Sequence, residues 1–173
     1  NYDKKNSMRI EIRYALIMGF IAFLWTLAEY IIGLHTVYID LHPYLTNIFL
    51  PVPIYFTYKT IHEKKKEQGG IISYKTAFFS GFMMALIGAP LALLGHIIYV
   101  KLINPMFYSD MIAHGMSNIA NHADKLSAEK ELSDYFSLFS YSVQIVVGVI
   151  LGGGFLSAII ALFMRTKNLL TVS

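Results

Sequence analysis

Two ionisable side chains stand inside long apolar runs of this sequence: Glu29 in the run 14–34 and His96 in the run 76–100. An ionisable group is costly in lipid, so such residues usually face the protein interior and mark ion or substrate paths. Both lie near the outer ends of their runs, where they can pair with each other. In the simpler alternative, Glu29 reaches the outer headgroups or hydrogen-bonds to a neighbouring helix.

Histidines collect on the same side of these runs. Five of the six fall there, namely His35, His42, His96, His114 and His122. Asp110 and His114 are spaced to share one helical face. Neutral imidazole with carboxylate suits zinc, iron or manganese. A metal ion as cofactor would use the residues expected at the outer mouth, namely Glu29, His35, His42 and His96. The ordinary alternative is solvated histidine, because no compact signature such as H-E-x-x-H occurs.

Other catalytic chemistry finds little support in the sequence. The chain has no cysteine, which excludes disulfides, thiolate metal sites and cysteine nucleophiles. Gly69-Gly70 indicates a turn rather than a phosphate-binding loop, and no motif frames Ser140 or Ser142 as a nucleophile. We therefore expect a protein that is not an enzyme.

The elements that must position these residues are long apolar helices. Of the 173 residues, 55% are apolar and 14% charged, and the mean hydropathy is +0.52. About 20 apolar residues cross a hydrocarbon core, where the backbone must satisfy its own hydrogen bonds. Four runs qualify, at about 14–34, 44–60, 76–100 and 139–164. The predicted fold is all-α: one integral membrane domain over 1–173, a four-helix bundle with the lipid bilayer as its partner.

The basic residues predict the orientation of these spans. Of the 14 Lys and Arg residues, three fall on one side, namely Lys101, Lys125 and Lys130. The others precede the first span, follow the fourth, or lie between the second and third. Because cytoplasmic loops carry the excess of Lys and Arg, both termini and the middle loop are expected in the cytoplasm. The excess of Lys and Arg in cytoplasmic loops also accounts for the net charge of +3, so we do not expect nucleic acid as a partner.

The outer segment 101–138 is long enough for structure of its own. Asn104-Pro105 indicates a helix start, with Asn as the cap. Apolar residues then recur at three- and four-residue spacing, which predicts an amphipathic helix on the membrane surface or against the bundle. Ser127, followed by Glu129 and Glu131, indicates the start of a second helix that can run into span four.

Small residues mark the packing faces of spans three and four. Span three has Gly81, Gly88 and Gly95 at seven-residue spacing. Span four has Gly148-x-x-x-Gly152 and a second stripe of Gly153, Ser157 and Ala161. Such stripes let helix backbones approach closely in lipid. The ordinary interpretation is packing of span three on span four, and the alternative is a face for a homo-oligomer.

Pro51-Val52-Pro53 interrupts span two. Two prolines remove two backbone donors and kink or break a helix. Broken helices line ion and substrate sites in transporters, although most prolines in membrane helices are simple kinks.

Three blocks of residues carry a resemblance to a known family. They are Trp25–Phe49, with Glu29, His35, His42, Thr46 and Asn47; Gly70–Gly81, with Ser73-Tyr74-Lys75; and Asp134-Tyr135-Phe136 with Ser140-Tyr141 and the glycines of span four. Over nearly the whole chain, the sequence resembles the bacterial domain of unknown function 4199 family. The resemblance implies a small bacterial inner-membrane protein without an assigned activity, and it directs attention to the polar residues of the first block. Pro53 beside Pro51 departs from the family pattern.

Three functional hypotheses follow. The first is a non-enzymatic accessory or assembly subunit that binds another membrane protein or a second copy of itself. The second is a small transporter or channel-like protein, whose path would be formed by Glu29, His96, Thr46, Asn47 and the proline break. The third is an outward-facing metal-dependent membrane enzyme that would use Glu29, His35, His42 and His96, with His35 and His42 as metal ligands. We favour the first.

Overall fold

The computed structural model describes residues 2–117, 119 and 122–166, with side chains from Ile10 onward except those of 122–124. Every regular element in this part of the chain is helical. The long helices are α1 (Tyr2–Ile31), α3 (Pro51–Glu67), α4 (Tyr74–Ile98) and α7 (Leu138–Met164), and the short ones are α2 (His42–Leu45), α5 (Phe107–Ser117) and α6 (His122–Tyr135). The all-α prediction is confirmed. The predicted domain limits at residues 1 and 173 lie outside the described residues.

Three of the helical segments described are long and apolar enough to cross a membrane. They are Ile10–Ile31, Tyr74–Ile103 and Leu138–Met164, which match the predicted spans 14–34, 76–100 and 139–164. Only 11% of the most apolar window of the last segment is buried within the protein. An apolar helix with so little protein cover is typical of one that faces lipid.

The run 44–60 differs from the single span that was predicted. It is divided into α2, a 3-10 turn at Thr46–Phe49 and α3. Pro51 takes the first position of α3, where its missing N–H is of no consequence. The apolar part of α3, from Pro51 to Tyr58, is only about 12 Å long. By length and composition, α3 is not a fourth spanning helix within the described residues.

The central helix is α4, which packs against α1, α3 and α7. Its closest approach to α7 lies where small residues face each other. A Cβ on Gly81 would lie 2.5 Å from Ser157 Oγ, and a Cβ on Gly153 would overlap the methyl group of Ala85. The second small-residue stripe therefore packs inside the chain.

The other glycines singled out in the sequence lie in more open surroundings. A Cβ on Gly95 would be in ordinary contact with Phe23 of α1, at 3.4 Å. Around Gly88, Gly148 and Gly152, no described atom lies within 4 Å of the position of an added Cβ. The Gly148–Gly152 stripe therefore faces away from α4.

Polar contacts join α1 to α3 at the end of the helices that holds Lys64–Lys66, which we term the lysine end. Glu63 accepts hydrogen bonds from the Tyr14 hydroxyl and the Arg13 guanidinium. Burial raises the pKa of Glu63, but these two donors lower it by more, so the pKa lies below its ordinary value.

The segment between α4 and α7 lies at the opposite end, termed the histidine end. A π turn at Tyr99–Ile103 extends α4, so α5 begins at Phe107, after the predicted start. The Asn104 side chain does not cap α5, because it donates to the Tyr99 hydroxyl. The start predicted at Ser127 is wrong, because α6 begins at His122. Nor does α6 run into α7, since the Ser137 hydroxyl caps α7.

Candidate metal-binding site

The end of α1 brings His35 back onto Glu29. Gly33 has φ of 85°, a left-handed conformation that suits glycine. Leu34 N–H donates to the Glu29 carbonyl and Gly33 N–H to the Tyr30 carbonyl, which is the Schellman pattern of a helix end. This turn stops α1 within one turn of Glu29 and places His35 beside its side chain.

Glu29 is held among hydrogen-bond donors. Although Glu29 belongs to an apolar helix, its carboxylate side chain is buried within the protein, and the residue is 5% exposed. Trp25 Nε1–H, one turn earlier on α1, donates to Glu29 Oε1 at 2.7 Å. Thr46 lines the same cavity as Glu29, and His35 Nε2 lies 3.6 Å from Glu29 Oε2. The carboxylate therefore faces protein groups rather than the lipid headgroups.

His35 is fixed from its other side by Tyr99. It is 2% exposed, and its Nδ1 lies 2.5 Å from the Tyr99 hydroxyl. Asn104 Nδ2 donates to the same hydroxyl at 3.0 Å. When His35 donates its Nδ1 proton to Tyr99, Nε2 presents a lone pair toward Glu29. This is the arrangement of a metal-ligating histidine, whose second nitrogen is usually held by an outer partner.

His42 completes a group of three candidate metal ligands, termed the three ligands below. It begins α2, and its ring centroid lies 5.0 Å from that of His35. Burial and the neighbouring His35 lower the pKa of His42 below its ordinary value, so its imidazole is neutral at pH 7. One ligand atom from each of Glu29, His35 and His42 lies within 4.8 Å of the other two. Neutral imidazoles and a carboxylate are the forms that bind metal ions.

The three ligands line a cavity of about 400 Å³ between α1, α4 and the first turns of α7. His96 lies on its wall, with Nε2 at 2.6 Å from the Tyr108 hydroxyl and its ring stacked on Tyr141. Burial raises the pKa of Tyr108 to about 12, so its hydroxyl stays protonated. In the described residues His96 therefore pairs with Tyr108, not with Glu29 as the sequence analysis suggested.

The remaining candidates fall at different distances from the cavity. Thr46 lines it, whereas Asn47 is exposed and donates to the Pro43 carbonyl at 2.7 Å. His114 Nε2 lies 3.5 Å from Asp40 Oδ1. The side chain of His122 is outside the described residues. Asn47 therefore does not join the ligand group.

Sequence reasoning missed the aromatic partners of the site. Trp25 and Tyr99 contact Glu29 and His35, and Tyr108 and Tyr141 contact His96 on the cavity wall. Tyr99 and Tyr141 stand near the ends of apolar runs. Aromatic residues there are ordinary anchors at a membrane surface. No spacing signal distinguishes them, because all but Trp25 act across elements that are distant in sequence.

The chain was compared with known proteins. It matches the family model described as Protein of unknown function (DUF4199) over residues 13–166. No curated protein matches it, and no solved structure matches it. The match spans all the helices from α2 to α7 and most of α1, including the three ligands, and the resemblance noted in the sequence is confirmed. The chain belongs to the DUF4199 family of proteins of unknown function.

Proposed function

We propose that this protein is a membrane protein that binds one divalent transition-metal ion through Glu29, His35 and His42. The observation that carries the proposal is the convergence of their ligand atoms within 4.8 Å at buried or half-buried positions. Glu29 and His35 are not exposed residues that happen to lie close. Each is held by a specific partner, Trp25 for the carboxylate and Tyr99 for the imidazole.

Two imidazoles and one carboxylate form a ligand set that suits Zn²⁺ or Fe²⁺. Because an imidazole binds a metal ion in its neutral form, the three side chains together would supply one negative charge to a doubly charged ion. Three protein ligands also leave coordination positions for water or another small ligand. Those positions would lie on the cavity of about 400 Å³, so a bound ion stays accessible from inside the protein.

Metal analysis of the purified protein tests this proposal. The protein in mild detergent is stripped with a chelator, titrated with Zn²⁺, Fe²⁺ and Mn²⁺, and analysed by native mass spectrometry and calorimetry. We expect one ion per chain, lost in His35→Ala and His42→Ala and weakened in Glu29→Gln. His62→Ala is the matched control, because His62 stacks on Tyr58 of α3, away from the site. Equal binding in all four variants would disprove the site.

The membrane topology is part of the same proposal. Both termini and the α3–α4 turn would lie in the cytoplasm of a bacterial inner membrane, with α2, the 3-10 turn and α3 together returning the chain as a fourth crossing. The eleven Lys and Arg residues on that side support this orientation. Because the chain has no cysteine, single substitutions such as Gln68→Cys and Met106→Cys report sidedness. Labelling of both from the same side of intact cells would disprove it.

Self-association remains the second candidate function, in line with an accessory role rather than an enzymatic one. Gly148 and Gly152 are exposed on α7, and Leu151 and Phe155 beside them are 67% exposed. A small-residue stripe with no neighbour in the described chain suits close packing with another helix. We expect Gly152→Leu to reduce the dimer fraction in native mass spectra, with Gly88→Leu as the control. An unchanged dimer fraction, or a monomeric wild type, would contradict this.

A further inference from the structure

A second buried carboxylate lies on the same face of α1 as Glu29. Glu11 is 4% exposed, and it precedes Glu29 by 18 residues. At 3.6 residues and 5.4 Å per turn, that separation is about five full turns and about 27 Å. The two side chains therefore project from one side of the helix near the two ends of its apolar part, Ile10–Ile31, at a spacing close to the thickness of a hydrocarbon core.

Glu11 has polar partners at the lysine end. The Ser80 hydroxyl donates to Glu11 Oε1 at 2.7 Å, and Lys64 Nζ lies 3.3 Å from the same oxygen. Oε2 is buried and has no hydrogen-bond partner among the described residues. A buried carboxylate oxygen without a donor is costly, so its occurrence calls for a functional explanation.

Lys64 is shared between two carboxylates. Its Nζ lies 3.3 Å from Glu11 Oε1 and 4.0 Å from Glu67 Oε2, and the residue is 8% exposed. When a cation neutralises Glu11, the ammonium group can remain paired with Glu67. Glu11 can therefore exchange its counter-ion without leaving Lys64 as a buried charge that has no partner.

Each of the two carboxylates lines a cavity. The cavity at the histidine end reaches along α1 from Glu29 through Thr26 and Ala22 to Gly19, about 15 Å. At the lysine end, a cavity of about 380 Å³ is lined by Glu11, Lys64, Lys75, Thr76, Phe79, Ser80 and Met83. Between them lies an apolar cluster that includes Ala15 and Met84, 1% and 3% exposed. This apolar barrier between the two cavities, measured along α1 from Gly19 to Glu11, is about 12 Å long.

We infer that the protein carries a cation across the membrane between these two carboxylates, along the face of α1 that packs on α4. The inference rests on the proposed metal site, which would be the high-affinity position of the path. Glu11 would be the low-affinity position, because Lys64 and Lys75 disfavour a cation there and promote its release. A path needs sites that bind an ion strongly enough to admit it and weakly enough to let it leave.

Transport in vesicles tests the inference. The full chain is reconstituted in vesicles of phosphatidylethanolamine and phosphatidylglycerol that contain a fluorescent Zn²⁺ indicator, and Zn²⁺ or Mn²⁺ is added outside. We expect entry at least tenfold faster than in protein-free vesicles. Glu11→Gln should reduce entry at least tenfold while leaving one bound ion per chain. Glu63→Gln is the matched control, since it removes the same charge at the lysine end outside the path.

A second variant keeps the test independent of Glu11. Ala22→Leu fills the cavity about two turns below Glu29, whereas Ala28→Leu adds the same bulk on the exposed side of α1. We expect loss of entry in the first and normal entry in the second, with metal binding intact in both. Wild-type vesicles no faster than empty ones, or full entry in Glu11→Gln and Ala22→Leu, would overturn the inference. Binding without entry would overturn the path alone, and absence of binding would overturn the metal site.

Discussion

Removal of one hydroxyl from Tyr99 should weaken metal binding without touching a ligand. Tyr99 is 1% exposed, and its hydroxyl lies 2.5 Å from His35 Nδ1 while it accepts from Asn104 Nδ2. Tyr99→Phe keeps the ring and its packing. It leaves His35 free to rotate or to place its proton on Nε2, the nitrogen that faces Glu29.

The size of the effect follows from the place of Tyr99 behind a ligand. Loss of an outer partner of a ligating histidine typically lowers metal affinity about 10- to 100-fold, or about 1.4–2.8 kcal/mol. The same change leaves the buried Asn104 amide without its acceptor. It should therefore also lower the free energy of unfolding by about 1–3 kcal/mol.

Chelator competition at fixed pH gives the Zn²⁺ affinity of each variant, and Tyr108→Phe is the matched control. The Tyr108 hydroxyl likewise lies beside a histidine of the cavity wall, but that histidine is His96, which is not one of the three candidate ligands. We expect the affinity of the control to stay within about threefold of the wild type, well below the loss typical of an outer partner. Unchanged affinity in Tyr99→Phe, or equal losses in both variants, would refute the proposed role of Tyr99.

Three further predictions concern stability. Glu63→Gln should lower the free energy of unfolding by about 1 kcal/mol at pH 7. Because the pKa of Glu63 is lowered in the folded state, the stabilisation by its carboxylate is lost as the pH falls below the ordinary value of 4.5. The difference in stability between the variant and the wild type should therefore vanish in melting curves recorded from pH 7 to 3. Gly153→Val should cost about 1–3 kcal/mol by overlap with α4, whereas Gly152→Val, with no described atom within 4 Å, should melt like the wild type. Zn²⁺ at 100 times its Kd should stabilise the protein by about 2.7 kcal/mol, and a rise in melting temperature that persists in His42→Ala would contradict binding at the site.

The long apolar helices could be predicted because a long apolar run favours a helix over other regular structures. The segments Tyr74–Ile103 and Leu138–Met164 agree with the predicted spans to within three residues. Span two could not be predicted as well, because tertiary contacts decide where a helix that contains proline breaks. There Pro51 begins a new helix, and the preceding residues form a separate 3-10 turn.

The residues of the candidate site could be predicted from the sequence, but the contacts between them could not. The placement of Glu29, His35, His42 and His96 at one mouth follows from topology alone, and the structure brings all four to the wall of one cavity. The ligand group of three depends on the turn at Gly33, whose hydrogen bonds are not visible in spacing.

Glu11 was missed for a physical reason. A charged residue at the start of an apolar run, next to Arg9 and Arg13, is ordinarily solvated at the membrane surface. Its burial results from Ser80 and Lys64, which are 69 and 53 residues away in sequence. Contacts over such separations follow from helix packing and cannot be deduced from local pattern.

The stoichiometry of bound metal tests the proposed site most directly. The wild-type protein, stripped with a chelator and reloaded with Zn²⁺ in mild detergent, is compared with His35→Ala by native mass spectrometry. We expect one ion per wild-type chain and none in the variant at the same metal concentration. A folded wild-type protein that binds no ion, or a variant that binds as well as the wild type, would contradict the assignment of Glu29, His35 and His42 as a metal site.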